Sequence, residues 1–172
     1  MQHKHSHRSI AISGLLLILV GCANTSTATQ STATTGTTSG GSLCQETPLQ
    51  TQPYPVPSLA DVPWIVADPA ASGITGHLFF KHGDEPLHAG RKMPDGAAAK
   101  VLWIMTQSST TGKLVITGRN LVSPPGTYSA TFPILGGGQA PSILDIPAAG
   151  CWLLTVQDGS VVGTVTFRVV AP

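Results

Sequence analysis

The sequence predicts an all-β protein: an antiparallel β-sandwich of about seven to eight strands, preceded by a disordered tether. Three observations carry that prediction. Apolar runs of strand length recur at roughly ten-residue spacing. Turn formers are abundant, with 19 glycines and 14 prolines among 172 residues. No segment holds a helical period with capping signals, and Ala97–Ala99 is too short for a helix.

The elements follow in chain order. Residues 1–9 make a basic start with Lys4, Arg8 and three histidines. Ile10–Val20 is apolar apart from Ser13 and Gly14. As a helix this run would reach roughly 16 Å, too short for a hydrocarbon core of about 30 Å. It ends in Leu19-Val20-Gly21-Cys22. A basic start, a short apolar run and a small residue before a cut describe a secretory signal, not a membrane span. With Cys22 next, the stretch resembles the lipobox of bacterial lipoproteins. That resemblance implies a signal peptide over residues 1–21, cleavage before Cys22, a diacylglycerol thioether on Cys22 and a fatty-acylated (palmitate-bearing) new N-terminus. It also implies a place in the cell envelope. The protein would be anchored to the bilayer through the Cys22 lipid, on the outer face of the cytoplasmic membrane or at the outer membrane.

After Cys22, residues 23–42 contain twelve Ser or Thr among twenty, with no charge and no large apolar side chain. Such a segment buries too little surface to offset its ordering entropy. Residues 22–42 are therefore expected to be a lipidated, disordered tether. As a flexible coil it would hold the domain about 25 Å from the lipid.

Residues 43–172 have the length of one domain. Pro48, Pro53, Pro55, Pro57 and Pro63 forbid helix at its start. Strand-length runs follow at Trp64–Ala67, Ile74–Phe80, Lys100–Gln107, Lys113–Gly118, Thr127–Phe132, Ser142–Ile146, Cys151–Gln157 and Val161–Val170. Residues 81–97 read as a polar loop, and Gly136-Gly137-Gly138 as a flexible connection. Val101–Met105 is apolar on both faces; it is expected to be a central strand covered on both sides, the alternative being that one face is an exposed binding patch. Trp64, Trp103 and Trp152 are expected in the core.

The last hairpin is the clearest element. Val165, Phe167 and Val169 alternate with Thr164, Thr166 and Arg168, giving one buried and one wet face. Trp152, Leu154 and Val156 share a face on the partner strand. Asp158-Gly159 suits a type I′ turn. The stretch Ile146-Pro147-Ala148-Ala149-Gly150-Cys151-Trp152 resembles the corner leading into the penultimate strand of an immunoglobulin-like sandwich. No tyrosine precedes Cys151 by two, and Cys44 lies before the first clear strand, so an inter-sheet disulfide of the antibody type does not fit. The arrangement also resembles bacterial surface lipoproteins that end in such a Gly-Cys-Trp hairpin, a resemblance that supplies no activity.

With Cys22 taken by lipid, Cys44 and Cys151 are left either as a disulfide or as two buried thiols. Export favours the disulfide. It would clasp the start of the domain to the penultimate strand and close a loop of about 108 residues, worth about 4–5 kcal/mol in the chain-entropy model.

Composition excludes some functions. Charged residues are 10% of the chain. Without its signal the chain has seven Lys and Arg against eight Asp and Glu. It has no basic patch to neutralise phosphates, so nucleic acid is not an expected partner. No Gly-x-Ser-x-Gly elbow is present. The triple glycine lacks the Lys-Ser/Thr and the helix of a phosphate cradle. Asp84 and Glu85 are adjacent and would point apart on an extended chain. No enzyme and no cofactor are expected.

One constellation suggests metal. His77, His82, His88 and Met93 are ligand types for copper, or for zinc without the Met. The alternative is a polar loop with ordinary exposed histidines, and His77 sits in a strand from which it can point away from that loop. The primary expectation is an anchored, non-enzymatic binding or structural module that contacts a protein, a glycan or the cell wall. The alternative is a periplasmic copper- or zinc-binding protein using the His77–Met93 segment.

Overall fold

The computed structural model describes residues 44–172 except 83, 84, 91, 94, 109–111 and 123. The lipobox, Cys22 and the Ser/Thr segment lie outside the described residues. Nine strands are present among those described: β1 Trp64–Val66, β2 Ile74–Leu78, β3 Leu87–His88, β4 Lys100–Met105, β5 Lys113–Asn120, β6 Thr127–Pro133, β7 Gln139–Ile143, β8 Gly150–Asp158 and β9 Val161–Val170. The four-stranded sheet A has the order β1-β2-β4-β7, and the five-stranded sheet B the order β3-β9-β8-β5-β6. The fold is an all-β sandwich whose core draws side chains from both sheets.

The extra strand comes from the stretch read as a polar loop. Leu87 and Ala89 are buried. Leu87 aligns with Val169 and His88 with Val170, in parallel, and the Ala89 N–H donates to the Val170 carbonyl at 2.9 Å. Two buried apolar residues thus pin the stretch to the free edge of β9, and sheet B is mixed rather than wholly antiparallel. Met93 is also in the core. The expectation of a wholly solvated 81–97 loop is corrected accordingly.

Inside sheet A the period of two is strict. Ile74, Gly76 and Leu78 of β2 face Met105, Trp103 and Val101 of β4 in register, and Ala140 and Ser142 of β7 continue the inner face. The Trp103 indole N–H donates to Ser142 Oγ at 2.9 Å, and that hydroxyl donates to the Val101 carbonyl at 3.2 Å. The one polar pair on this face is therefore satisfied internally. In sheet B, Trp152 lies opposite Phe167 and Leu154 opposite Val165. All four are buried, as the alternation predicts.

Two turns differ from expectation. The β8–β9 hairpin pairs Asp158 with Val161, so its central residues are Gly159 and Ser160. Only Gly159 has a positive φ there, at 60°. That is the pattern of a type II′ turn, with Gly first, instead of type I′. Asp158 belongs to the strand: it is fully buried and accepts a hydrogen bond from Ser108 Oγ at 3.0 Å. The triple glycine is a tight turn rather than a loose connection. Leu135 N–H donates to the Gln139 carbonyl at 2.6 Å, which starts β7 three residues before the expected Ser142. Gly138 has φ 70°, and a Cβ there would collide with the Met105 carbonyl oxygen.

Candidate functional site

The residues before β1 form a strap over one side of the sandwich. Cys44 is bonded to Cys151 of β8, with Cα atoms 5.3 Å apart. Cys151 alternates with the core residue Trp152, so the bond lies on the outer face of sheet B. It is a clasp to the penultimate strand and not a bond through the core. Thr47 then pairs with β9: its N–H donates to the Thr166 carbonyl at 2.9 Å, and its Oγ1 accepts from the Thr166 N–H at 2.7 Å. Glu46 and Arg168 form an exposed ion pair at 3.2 Å, worth little by itself. Leu49 bridges to Ile65 of β1. Just past β1, Asp68 bridges to Thr164. Strap and bridge together close the side of the sandwich where β1 and β9 approach.

Beyond Leu49 the strap crosses to the outer face of sheet A. The Gln50 N–H donates to the Trp64 carbonyl at 2.9 Å, and the Trp64 indole N–H donates to the Gln52 carbonyl at 2.8 Å. Tyr54 then lies edge-on against both Trp64 (centroids 5.1 Å) and His77 (4.3 Å). Trp64 and His77 are near parallel at 14° and 6.2 Å. Trp64 is thus half-buried on the outer face, not in the core as expected. Trp103 and Trp152 are fully buried.

Under this roof His77 is 0% exposed. Neither Nδ1 nor Nε2 has a hydrogen-bond partner, and Thr75 Oγ1, two residues earlier on the same face, has none either. Burial holds the His77 imidazole below its ordinary pKa of 6.5, because the charged form loses its hydration.

The outer face of sheet A continues in register. Trp64, His77, Leu102 and Pro141 form one row. The next holds Lys100 beside Ile143, with the Lys100 ammonium 5.2 Å from the centre of the Phe79 ring. Phe79 is 40% exposed and Ile143 37%. Strand β4 is therefore internal to its sheet, as expected, but only its inner side is covered: Leu102 and Ile104 are half-buried. Exposed apolar groups gathered on one face mark an interaction surface more often than scattered ones do.

A groove of about 440 Å³ runs between the strap and β1, β2, β3 and β9, with Lys81, Glu46 and Arg168 at its rim. Lys81 Nζ donates to the Glu85 carbonyl at 2.8 Å. The floor residues Ile65, Leu78, Phe80 and Leu87 are at most 2% exposed, so the floor of the groove offers a ligand almost no apolar surface.

The four metal candidates are dispersed. His77 is under the strap, His82 is exposed beyond β2, and Met93 is in the core. His88 on β3 places Nδ1 3.0 Å from the Ala171 carbonyl oxygen. Among the described residues, no three His, Cys, Asp or Glu side chains gather around a point that could hold a metal ion.

The role of Tyr54 was invisible to sequence reasoning. Its prolines 53, 55 and 57 signalled an extended segment, but nothing local says which face that segment covers. Comparison of the chain with known protein families, with curated proteins and with solved structures finds no match.

Proposed function

We propose that this protein is a bacterial envelope lipoprotein, held on the bilayer by a lipid on Cys22, whose immunoglobulin-like sandwich is a non-enzymatic binding module. The observation that carries the reading is Leu19-Val20-Gly21-Cys22 at the end of an apolar run too short to span. The Cys44–Cys151 bond supports it, since structural disulfides persist in oxidising, extracytoplasmic compartments. The binding surface is the outer face of sheet A, where Phe79, Leu102, Pro141 and Ile143 leave apolar groups beside a single cation, Lys100. Its partner is a protein, a glycan or the cell wall itself.

The test has two arms. In cells fed labelled fatty acid, the wild-type chain takes up label and partitions with membranes, and Cys22→Ser does neither. A photo-crosslinking residue at Ile143 then captures a discrete partner that one at Thr131 on the edge strand β6 misses. Label-free wild type would overturn the anchor, and equal crosslinking from both positions would overturn the binding face.

A further inference from the structure

A buried imidazole with no partner for either nitrogen is an anomaly that calls for a physical account. His77 is such a group, and Tyr54, which packs edge-on against it beside Trp64, lies on a segment with few attachments. Two hydrogen bonds hold that segment to β1: Gln50 N–H to the Trp64 carbonyl and the Trp64 indole to the Gln52 carbonyl. Its ends are fixed independently. The Cys44–Cys151 bond and the Thr47–Thr166 pair hold one end, and β1 holds the other. The middle of the strap can lift while both ends stay in place.

We propose that Tyr54 and His77 form an acid-released latch: protonation of His77 frees the strap from the outer face of sheet A and uncovers Trp64 and His77. The physical basis is the cost of a charge in that place. A neutral imidazole tolerates the aromatic cover. An imidazolium has two N–H donors, neither with an acceptor, in a site without water access. The rings of Tyr54 and Trp64 offset only part of that cost through their faces and edges.

Charged neighbours give no relief. The strap presents Tyr54, and β1 presents Trp64 and Val66. Thr75 shares this face of β2, Leu102 and Ile104 that of β4, and Gln139, Pro141 and Ile143 that of β7. The one charge on this face of the four strands is Lys100, a cation, held over Phe79. Asp61, in the loop before β1, is exposed. Among the described residues no carboxylate on these elements compensates the imidazolium, and the cheapest response is local opening of the segment that excludes water. A protein on the outside of a cell meets the pH of its surroundings directly, so the latch rests on the extracytoplasmic reading for its use, though not for its chemistry.

The test is amide hydrogen exchange on the full-length chain in a mild non-ionic detergent, from about pH 7.5 to pH 4.5, corrected for intrinsic rates. The His77 ring protons are titrated in parallel by NMR. Peptides covering residues 50–56 gain exchange by about tenfold or more as His77 protonates, while β8 and β9 stay protected. His77→Gln, which cannot take the charge, abolishes the acid step. Tyr54→Ala opens the segment at every pH. The latch is overturned if His77 titrates with no change in residues 50–56, if the whole domain opens together, or if His77→Gln opens like wild type. Failure of membrane attachment would leave all these readouts intact, so the two ideas fail separately.

Discussion

Cys44 and Cys151 are joined on the outer face of sheet B, 5.3 Å apart at Cα and 107 residues apart in sequence. The bond ties Cys44, where the described residues begin, to β8, and it makes the strap a permanent part of the domain. Anything pulling on the chain before residue 44 acts on β8 directly rather than peeling the strap.

Removing that bond therefore has a defined cost. Cys44→Ser with Cys151→Ser is expected to lower stability by about 2–5 kcal/mol, the usual range when a native disulfide is removed from a small domain. Chemical denaturation of wild type with and without a reductant, beside the double variant, checks this. Agreement of reduced wild type with the variant is the expected result.

The β8–β9 interior gives a sharper contrast. Phe167, opposite Trp152, is in the core, and Phe167→Ala is expected to cost about 3–5 kcal/mol as a large-to-small change. Thr166→Val, on the other face, keeps the backbone groups that bind Thr47 and is expected to change stability by about 0.5 kcal/mol or less. Urea midpoints of the two variants decide it, and similar losses would mean that the faces are wrongly assigned.

Ser142→Ala probes the inner face of sheet A. The change removes the hydroxyl that accepts from the Trp103 indole, in a site with no exposure. A stranded buried donor costs about 1–3 kcal/mol. Thermal unfolding of this variant, with a red-sensitive tryptophan fluorescence shift as the second probe, checks both the loss and its location.

His77 sets a pH dependence whose sign follows from its depressed folded pKa. The unfolded chain takes up the proton first, near the ordinary value of 6.5, and the folded chain only at lower pH. Stability from this residue is thus complete above that value and is lost as pH falls toward and through the folded pKa. Wild type is expected to lose stability over that window, and His77→Gln to lose less. Parallel denaturation curves at several pH values measure the difference, and identical slopes would contradict the assignment.

How much of this was readable in advance follows from the range of each interaction. The β8–β9 hairpin was legible because Val165, Phe167 and Val169 announce their face by a period of two. The disulfide was legible because, once Cys22 is assigned to a lipid, only Cys44 and Cys151 are left to pair. Strand β3 was not, since two residues, Leu87 and His88, are too few to show a period and are held by the edge of a strand some eighty positions away. Trp64 was misplaced because an aromatic beside the apolar Ile65 looks like core; only the path of the strap, set by Cys44, Thr47 and Leu49, turns it outward under Tyr54. The hairpin turn shifted by one residue because Asp158, read as a turn former, is taken into the ladder and bonded by Ser108. The metal reading failed to gather its donors because Met93 is used as core and His77 as part of an aromatic cluster.

The central claim, that the protein is a lipid-anchored envelope protein, is tested most directly by the mass of its N-terminal peptide. The mature protein, extracted from membranes and digested, is expected to yield a first residue of Cys22 carrying a diacylglyceryl thioether on its sulfur and a fatty acyl amide on its amine. A chain that retains residues 1–21, or one that begins elsewhere with an unmodified Cys22, would contradict the account.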